Sequence, residues 1–107
     1  MKKMMAQYKA HLINLERSDK TIVGYIGELD FFRKWVEERL NGPFDITEIS
    51  GTEINEFLLY LKEVRDYKPA SRRRIAATLK GFFKWAYKQG HVTTDLAETV
   101  PSIKVPD

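Results

Sequence analysis

Residues 71–90 read SRRRIAATLKGFFKWAYKQG, and this stretch carries the clearest structural pattern in the chain. Its apolar side chains recur at three- and four-residue spacing, which is the period of an α-helix buried along one side. We predict a helix that starts near Ala70 or Ser71 and ends at Gly90, because glycine accepts the left-handed backbone that follows many helices. The predicted core stripe is Ile75, Leu79, Phe82, Phe83 and Ala86.

The opposite side of this helix is basic, and alanine and glycine separate its bases. Small residues let a helix backbone approach a phosphate backbone or a groove floor, while Lys and Arg reach around them. The first turn adds further donors at the helix N-terminus, where free N–H groups and the helix dipole favour an anion. The residues predicted to face nucleic acid on this helix are Ser71, Arg72, Arg73, Arg74, Ala77, Lys80, Gly81, Lys84 and Lys88.

A basic helix face is also what a simple solvated surface presents. Solvated faces usually mix Glu with Lys in pairs four residues apart, however, and this face has no acid. Residues 67–94 hold seven bases and no acid, whereas residues 28–66 hold five bases and ten acids. Such a directed positive field suits phosphate. The pattern alone leaves nucleic-acid binding and a solvated surface both open.

Upstream of this helix, apolar spacing predicts three others, from Lys2 to Glu16, Lys20 to Leu40 and Thr52 to Arg65. A short fifth helix is expected at 95–99. The predicted fold is therefore all-α, a compact bundle of four main helices plus a short C-terminal helix. The other predicted core positions are Met4 or Met5, Tyr8, Leu12, Leu15, Ile22, Ile26, Leu29, Phe32, Val36, Ile54, Phe57, Leu58, Leu61 and Val64.

Helix ends are marked by residues that can cap them. We predict caps from Ser18 and Asp19 before the second helix and from Thr94 before the fifth. Gly42 is expected to supply the left-handed residue after the second helix. Ser50 and Glu53 form the S-x-x-E spacing of a capping box at the third.

The start of the second helix is a weaker candidate for DNA contact. Hydroxyl and ammonium groups of Lys20, Thr21 and Tyr25 can donate to phosphate oxygens, and Gly24 and Gly27 lie beside them. The residues alone favour a structural role, with Thr21 helping to cap the helix and Tyr25 packing at the core margin. Close approach of a neighbouring helix or of DNA would each explain the two glycines.

Composition excludes several classes of protein. The chain has 107 residues, enough for one domain, and lacks cysteine, which rules out disulfides and thiolate metal sites. No apolar run is long enough for a signal peptide or membrane span, so we expect a cytoplasmic protein that contacts no membrane. No phosphate loop, nucleophile elbow or paired carboxylates appear. We therefore expect no catalytic residue, metal or cofactor.

Several stretches, taken in order, resemble the core-binding domain of tyrosine recombinases, the SAM-like N-terminal module of phage and transposon integrases. Residues 18–32 resemble that family's S-x-x-T-x-x-x-Y-x-x-x-L-x-x-F opening of the second helix. Residues 46–61 resemble its entry into the third helix, and residues 71–92 its fourth helix and the turn that follows. Residues 95–101 resemble the next short segment, although the family commonly has Asn-Pro where this chain has Asp95-Leu96.

This resemblance implies a double-stranded DNA-binding domain at residues 1–100, with the start of a linker at residues 101–107. The domain would be one half of a clamp around a recombination site, with its second and fourth helices facing DNA. The family's catalytic Arg, Lys, His-x-x-Arg and Tyr belong to a C-terminal domain, so none of the five tyrosines here is expected to be the nucleophile. The implied partners are DNA, that catalytic domain and other protomers of a full-length homotetramer.

Two other functions compete with this interpretation. A helical protein-interaction module would use the same basic face to bind an acidic partner. A stand-alone helix-turn-helix regulator is disfavoured, because no pair of short helices joined by a tight three- or four-residue turn is evident.

Overall fold

A computed structural model describes residues 1–106 and contains four α-helices, two 3-10 helices and, within those residues, no strand. The four helices are α1 (Lys2–Asn14), α2 (Asp19–Leu40), α3 (Gly51–Glu63) and α4 (Pro69–Lys88). The 3-10 helices are Ile46–Glu48 and Leu96–Thr99. The predicted all-α class is confirmed. Asp107, the last residue of the predicted linker, lies outside the described residues.

Backbone contacts divide the chain into two units, residues 1–45 and 46–107. In the first unit α1 packs against α2. Both helices bury most of the predicted stripe, while Met4, Met5 and Ile26 are half-buried. The loop after α2 adds Phe44, whose ring meets Phe32 edge-on with 6.3 Å between the ring centroids. The buried residues of α1 and α2 are Tyr8, Leu12, Ile22, Leu29, Phe32 and Val36.

The two ends of α2 are fixed by side-chain and backbone caps. Ser18 is its N-cap, and the Ser18 hydroxyl accepts from the Thr21 backbone N–H at 3.1 Å, as predicted. At the other end the prediction of Gly42 was wrong, since Asn41 takes the left-handed conformation with φ 53°. Asparagine tolerates this region better than other non-glycine residues, so the helix reverses one residue early.

In the second unit α4 packs against α3 and the second 3-10 helix. All five residues of the predicted α4 stripe are buried, and Phe82 meets Phe83 edge-on with ring centroids 5.3 Å apart. Ala76, Thr78 and Trp85 broaden the buried side. The capping box of Ser50 and Glu53 at the start of α3 is present as predicted.

A close approach joins the start of α3 to the second 3-10 helix. A Cβ built on Gly51 would lie 2.7 Å from the Thr99 Cβ, so only glycine fits here without movement. The Asn55 side-chain amide donates to the Gly51 carbonyl at 2.8 Å and to the Thr99 carbonyl at 3.1 Å. These contacts hold the second 3-10 helix against α3.

Several predicted details differ from the structure. Leu15 and Val64 were expected in the core but are 50% and 68% exposed, because α1 and α3 end before the stripe reaches them. The predicted fifth helix is a 3-10 helix, and its N-cap is Asp95 instead of Thr94. The Asp95 carboxylate accepts from the Ala97 backbone N–H at 3.0 Å.

Glycine-to-alanine substitutions test this packing in two directions. A Cβ at Gly24 or Gly27 would meet nothing within 4 Å. Because both residues lie inside α2, alanine at either position should raise the free energy of unfolding by about 0.5–1 kcal/mol. Gly51→Ala should lower it by roughly 1–3 kcal/mol, the usual effect of overpacking. Urea denaturation followed by circular dichroism measures all three variants, and a stabilised Gly51→Ala protein would contradict the close approach to Thr99.

The α3 capping box gives a second stability prediction. Ser50→Ala removes an acceptor for the first-turn N–H groups and should lower the free energy of unfolding by about 1 kcal/mol. Thr52→Ala is the matched control, since it removes an exposed hydroxyl two residues later and leaves the capping box in place. Equal midpoints of thermal unfolding for the two variants would show that the cap contributes nothing.

Candidate nucleic-acid interface

The predicted basic face of α4 is exposed in the structure. Arg73, Arg74, Ala77, Lys80, Gly81, Lys84 and Lys88 are all exposed, while Ser71 and Arg72 are half-buried. The helix carries no Asp or Glu over its whole length. α4 therefore presents one apolar side to its neighbours in the second unit and one positive side to solvent.

The start of α4 combines backbone donors with guanidinium groups. Pro69 occupies the first turn, where its fixed φ suits a helix and its missing N–H costs nothing. Lys68 is the N-cap, and a lysine side chain has no acceptor with which to cap the following N–H groups. The Arg72 Nε donates to the Tyr67 carbonyl at 3.3 Å, so this arginine is directed toward the turn.

A second arginine, Arg65, lies just after the end of α3 and contacts the same turn. The Arg65 guanidinium lies 5.8 Å from the centroid of the Tyr67 ring. A hydrogen bond with Tyr60 and the charge interactions of both tyrosines raise the pKa of Arg65 above its ordinary value. Tyr67, in the α3–α4 turn, thus has one arginine beside its ring and another, Arg72, at its backbone carbonyl.

The structure shows a groove beside α4 that the sequence analysis did not find. One wall is α4, through Arg73, Ala76, Ala77 and Lys80, and the other is residues 100–105, which we call the C-terminal segment. The groove has a volume of about 610 Å³, and Ser102 and Lys104 are among the residues of the C-terminal segment that line it. We call it the α4 groove. Three of the predicted site residues, Arg73, Ala77 and Lys80, are brought together there.

The α2 candidates lie in the first unit, apart in sequence from the α4 set. Lys20 is exposed, whereas Thr21 and Tyr25 are half-buried. The Thr21 hydroxyl accepts from the Ser18 hydroxyl at 2.8 Å, which is the capping role that the residues alone favoured. Gly24 and Gly27 face open space, so close approach of a neighbouring helix does not explain them.

Tyr25 also influences a buried tyrosine of α1. Burial, with a further contribution from the nearby Tyr25, raises the pKa of Tyr8 to about 12, while Arg17 acts in the opposite direction. Tyr8 therefore keeps its proton well above neutral pH. Tyr25 lies at the margin of the α1–α2 packing with part of its surface in solvent, which agrees with the structural interpretation of this residue.

Two aromatic residues flank the basic face at the end of α4. Trp85 is only 8% exposed and packs on Phe82 at 5.9 Å and on His91 at 5.3 Å between ring centroids. Trp85 therefore serves packing. Tyr87 is 43% exposed beside Lys88.

Residues 1–106 contain neither a metal-holding cluster of side chains nor a membrane-spanning helix. No group of three or more His, Cys, Asp or Glu side chains in that range has a geometry that could hold a metal ion. None of the helices in the same range has the length and apolar character that crossing a bilayer requires.

Comparison with known sequences places the chain in a family. The profile of the phage integrase N-terminal SAM-like domain matches residues 5–90. Tyrosine recombinase XerC of Herpetosiphon aurantiacus is 34% identical over 107 residues, covering 98% of this chain and 34% of that protein. Tyrosine recombinase XerC of Myxococcus xanthus is 30% identical over 106 residues, covering 96% of this chain and 33% of that protein.

Solved structures share the fold. The N-terminal domain of a phage integrase/site-specific recombinase from Haloarcula marismortui has a TM-score of 0.78 and 26% identity, covering 98% of this chain and 94% of that one. Lambda integrase (residues 75–356), bound as a dimer to a COC′ core site, has a TM-score of 0.75 and 22% identity, covering 100% and 35%.

The chain corresponds to only one part of its longer relatives. The chain spans about a third of the length of the curated relatives. The family profile covers most of this chain, and each alignment with a XerC protein covers nearly the whole of this chain. The chain belongs to the phage integrase N-terminal SAM-like domain family, the N-terminal module of tyrosine recombinases.

Proposed function

We propose that this chain is the DNA-binding, core-binding domain of a tyrosine site-specific recombinase and holds duplex DNA through the basic face of α4. The observation that carries the proposal is the exposed, acid-free side of α4, which lies opposite a fully buried stripe. Lys and Arg on such a face neutralise phosphates and release counterions, which is the main source of non-specific DNA affinity.

The contacts fall into two proposed classes. Arg73, Lys80, Lys84 and Lys88 are placed to position the duplex through phosphates, because they are exposed along one side of the helix. Arg74 is the main candidate for a base contact, since arginine pairs with guanine through two donors at once. Arg72 is a weaker candidate, because its Nε donates to the Tyr67 carbonyl.

The comparisons with known proteins also support DNA as the partner. Lambda integrase, whose fold this chain shares, was solved bound to a COC′ core site. We infer a similar kind of partner for this chain. The start of α2, with Lys20, Thr21 and Tyr25, is proposed as a secondary contact.

The finer parts of the proposal concern the longer protein. Residues 1–100 would form the core-binding half of a clamp, and residues 101–107 would start the linker to a catalytic domain that performs the strand exchange. The chain's own residues are proposed to bind DNA and to catalyse nothing. The full-length protein would act as a homotetramer on DNA, in the cytoplasm, where the bacteria among its relatives keep their DNA.

Neutralising the groove side of α4 tests the DNA interface. Arg73→Gln with Lys80→Gln should leave the fold intact, because both side chains are exposed. The dependence of log K on log salt should become shallower by about one to two units, since each phosphate contact contributes roughly 0.9. The measurement is fluorescence anisotropy with a labelled mixed-sequence duplex over a salt series. The unaltered domain should bind with a dissociation constant of roughly 10⁻⁴ to 10⁻⁶ M.

The matched control is Lys34→Gln with Lys62→Gln, which removes the same net charge from helices that also carry acids. Lys34 is paired with Asp30 at 3.1 Å, and Lys62 precedes Glu63. An unchanged salt slope in the Arg73/Lys80 variant would refute the α4 assignment. If the unaltered domain binds no duplex even at low salt, the basic face instead awaits an acidic protein partner.

A further inference from the structure

The α4 groove lies between one side of α4 and the C-terminal segment. Its volume of about 610 Å³ corresponds to roughly twenty water molecules at about 30 Å³ each. That space is far larger than one small ion needs. Successive residues of the C-terminal segment line one wall and one side of a helix lines the other, so the groove suits a ligand that makes several contacts along its length.

The lining of the groove specifies the charge of that ligand. Arg73, Lys80 and Lys104 are positive and Ser102 offers a hydroxyl donor, while none of the lining residues is acidic. Arginine, lysine and serine are the side chains that contact phosphate oxygens in protein–DNA complexes. Ala76 and Ala77 also line the groove, and their short side chains leave room for a ligand backbone to approach α4.

The position of Lys104 is set by the fold upstream of it. Leu96 and Ala97 are buried, and Thr99 is in close contact with Gly51, so the second 3-10 helix has a fixed place in its unit. The chain leaves that helix at Val100 and runs beside α4 without regular structure. Pro101 restricts the backbone at the start of this course. Lys104 is therefore held beside α4, where its charge adds to those of Arg73 and Lys80.

We propose that the α4 groove binds a stretch of the sugar–phosphate backbone of duplex DNA, and that Ser102 and Lys104 contact a phosphate there together with Arg73 and Lys80. The inference rests on the proposed function, which assigns DNA to the α4 face, and adds the C-terminal segment to the contact surface. Three cations that share one groove repel each other, and a bound phosphate removes that repulsion. The segment beside α4 is thus a DNA-contacting element as well as a connection.

Two substitutions test the charge and the space of the groove separately. Lys104→Ala should make the salt dependence of duplex binding shallower by about one unit, as expected for one lost phosphate contact. Ala77→Leu should weaken duplex binding at least severalfold, because leucine fills part of the groove. It should leave the salt slope unchanged, because it removes no charge. Leucine is a good helix former and Ala77 is exposed, so α4 should stay folded, as circular dichroism can verify.

Ser102→Ala tests the neutral donor. It should weaken binding by about tenfold or more, as expected for the loss of one hydrogen bond to a charged group, and should leave the salt slope unchanged because no charge is removed. Lys34→Ala is the charge-matched control for Lys104→Ala, since Lys34 lies among acids and is paired with Asp30. The control should keep the slope of the unaltered domain.

The outcomes separate this inference from the function on which it rests. Duplex binding by the unaltered domain with the same slope for Lys104→Ala as for Lys34→Ala would overturn the phosphate contact and leave the proposed function standing. Undiminished binding by Ala77→Leu would overturn the groove as the place of contact. Absence of duplex binding by the unaltered domain, with Lys104-dependent binding to polyglutamate, would overturn both in favour of an acidic protein partner.

Discussion

The burial of Leu96 and Ala97 determines where the chain goes after its last long helix. These two residues are 7% and 2% exposed, and the 3-10 helix that contains Leu96 and Ala97 packs on both α3 and α4. Gly90, with φ 81°, reverses the chain so that this packing is possible. The contact with α3 is then so close that Gly51 is required opposite Thr99. The path of residues 101–105, which form one wall of the α4 groove, starts from this packed 3-10 helix.

The acid-rich residues 28–66 and the base-rich residues 67–94 differ in how their charges are paired. On α2, Arg33 pairs with Asp30 at 2.7 Å, and this hydrogen bond is the main reason why the pKa of Asp30 is lowered. Arg33 also pairs with Glu37, which in turn accepts from the Phe44 backbone N–H at 3.0 Å. These charges satisfy one another within the helix and its following loop. α4 carries no Asp or Glu, so its bases form no ion pairs within the helix.

Local patterns predicted most of the fold because helices of this kind are specified locally. The α4 stripe, the Ser50–Glu53 capping box and the Gly90 reversal all depend on residues within one or two turns of each other, and the structure contains all three. Two of the errors occurred where neighbouring residues compete for one role. Asn41 took the left-handed position expected of Gly42, and Asp95 took the cap expected of Thr94. Asparagine and glycine both tolerate the left-handed conformation, and aspartate and threonine both cap helices, so adjacent residues could fill either role.

The α4 groove could not be predicted in the same way, because its walls are separated by about twenty residues of sequence and meet only through packing. Lys104 is the only base after Thr94, and no local spacing pattern connects it with the bases of α4. From Val100, however, the chain runs beside the side of α4 on which Arg73 and Lys80 lie. Under the proposed function, the segment that would connect this domain to a catalytic domain would also contact DNA. The charge of Lys104 would then act with the charges of Arg73 and Lys80 on the same ligand.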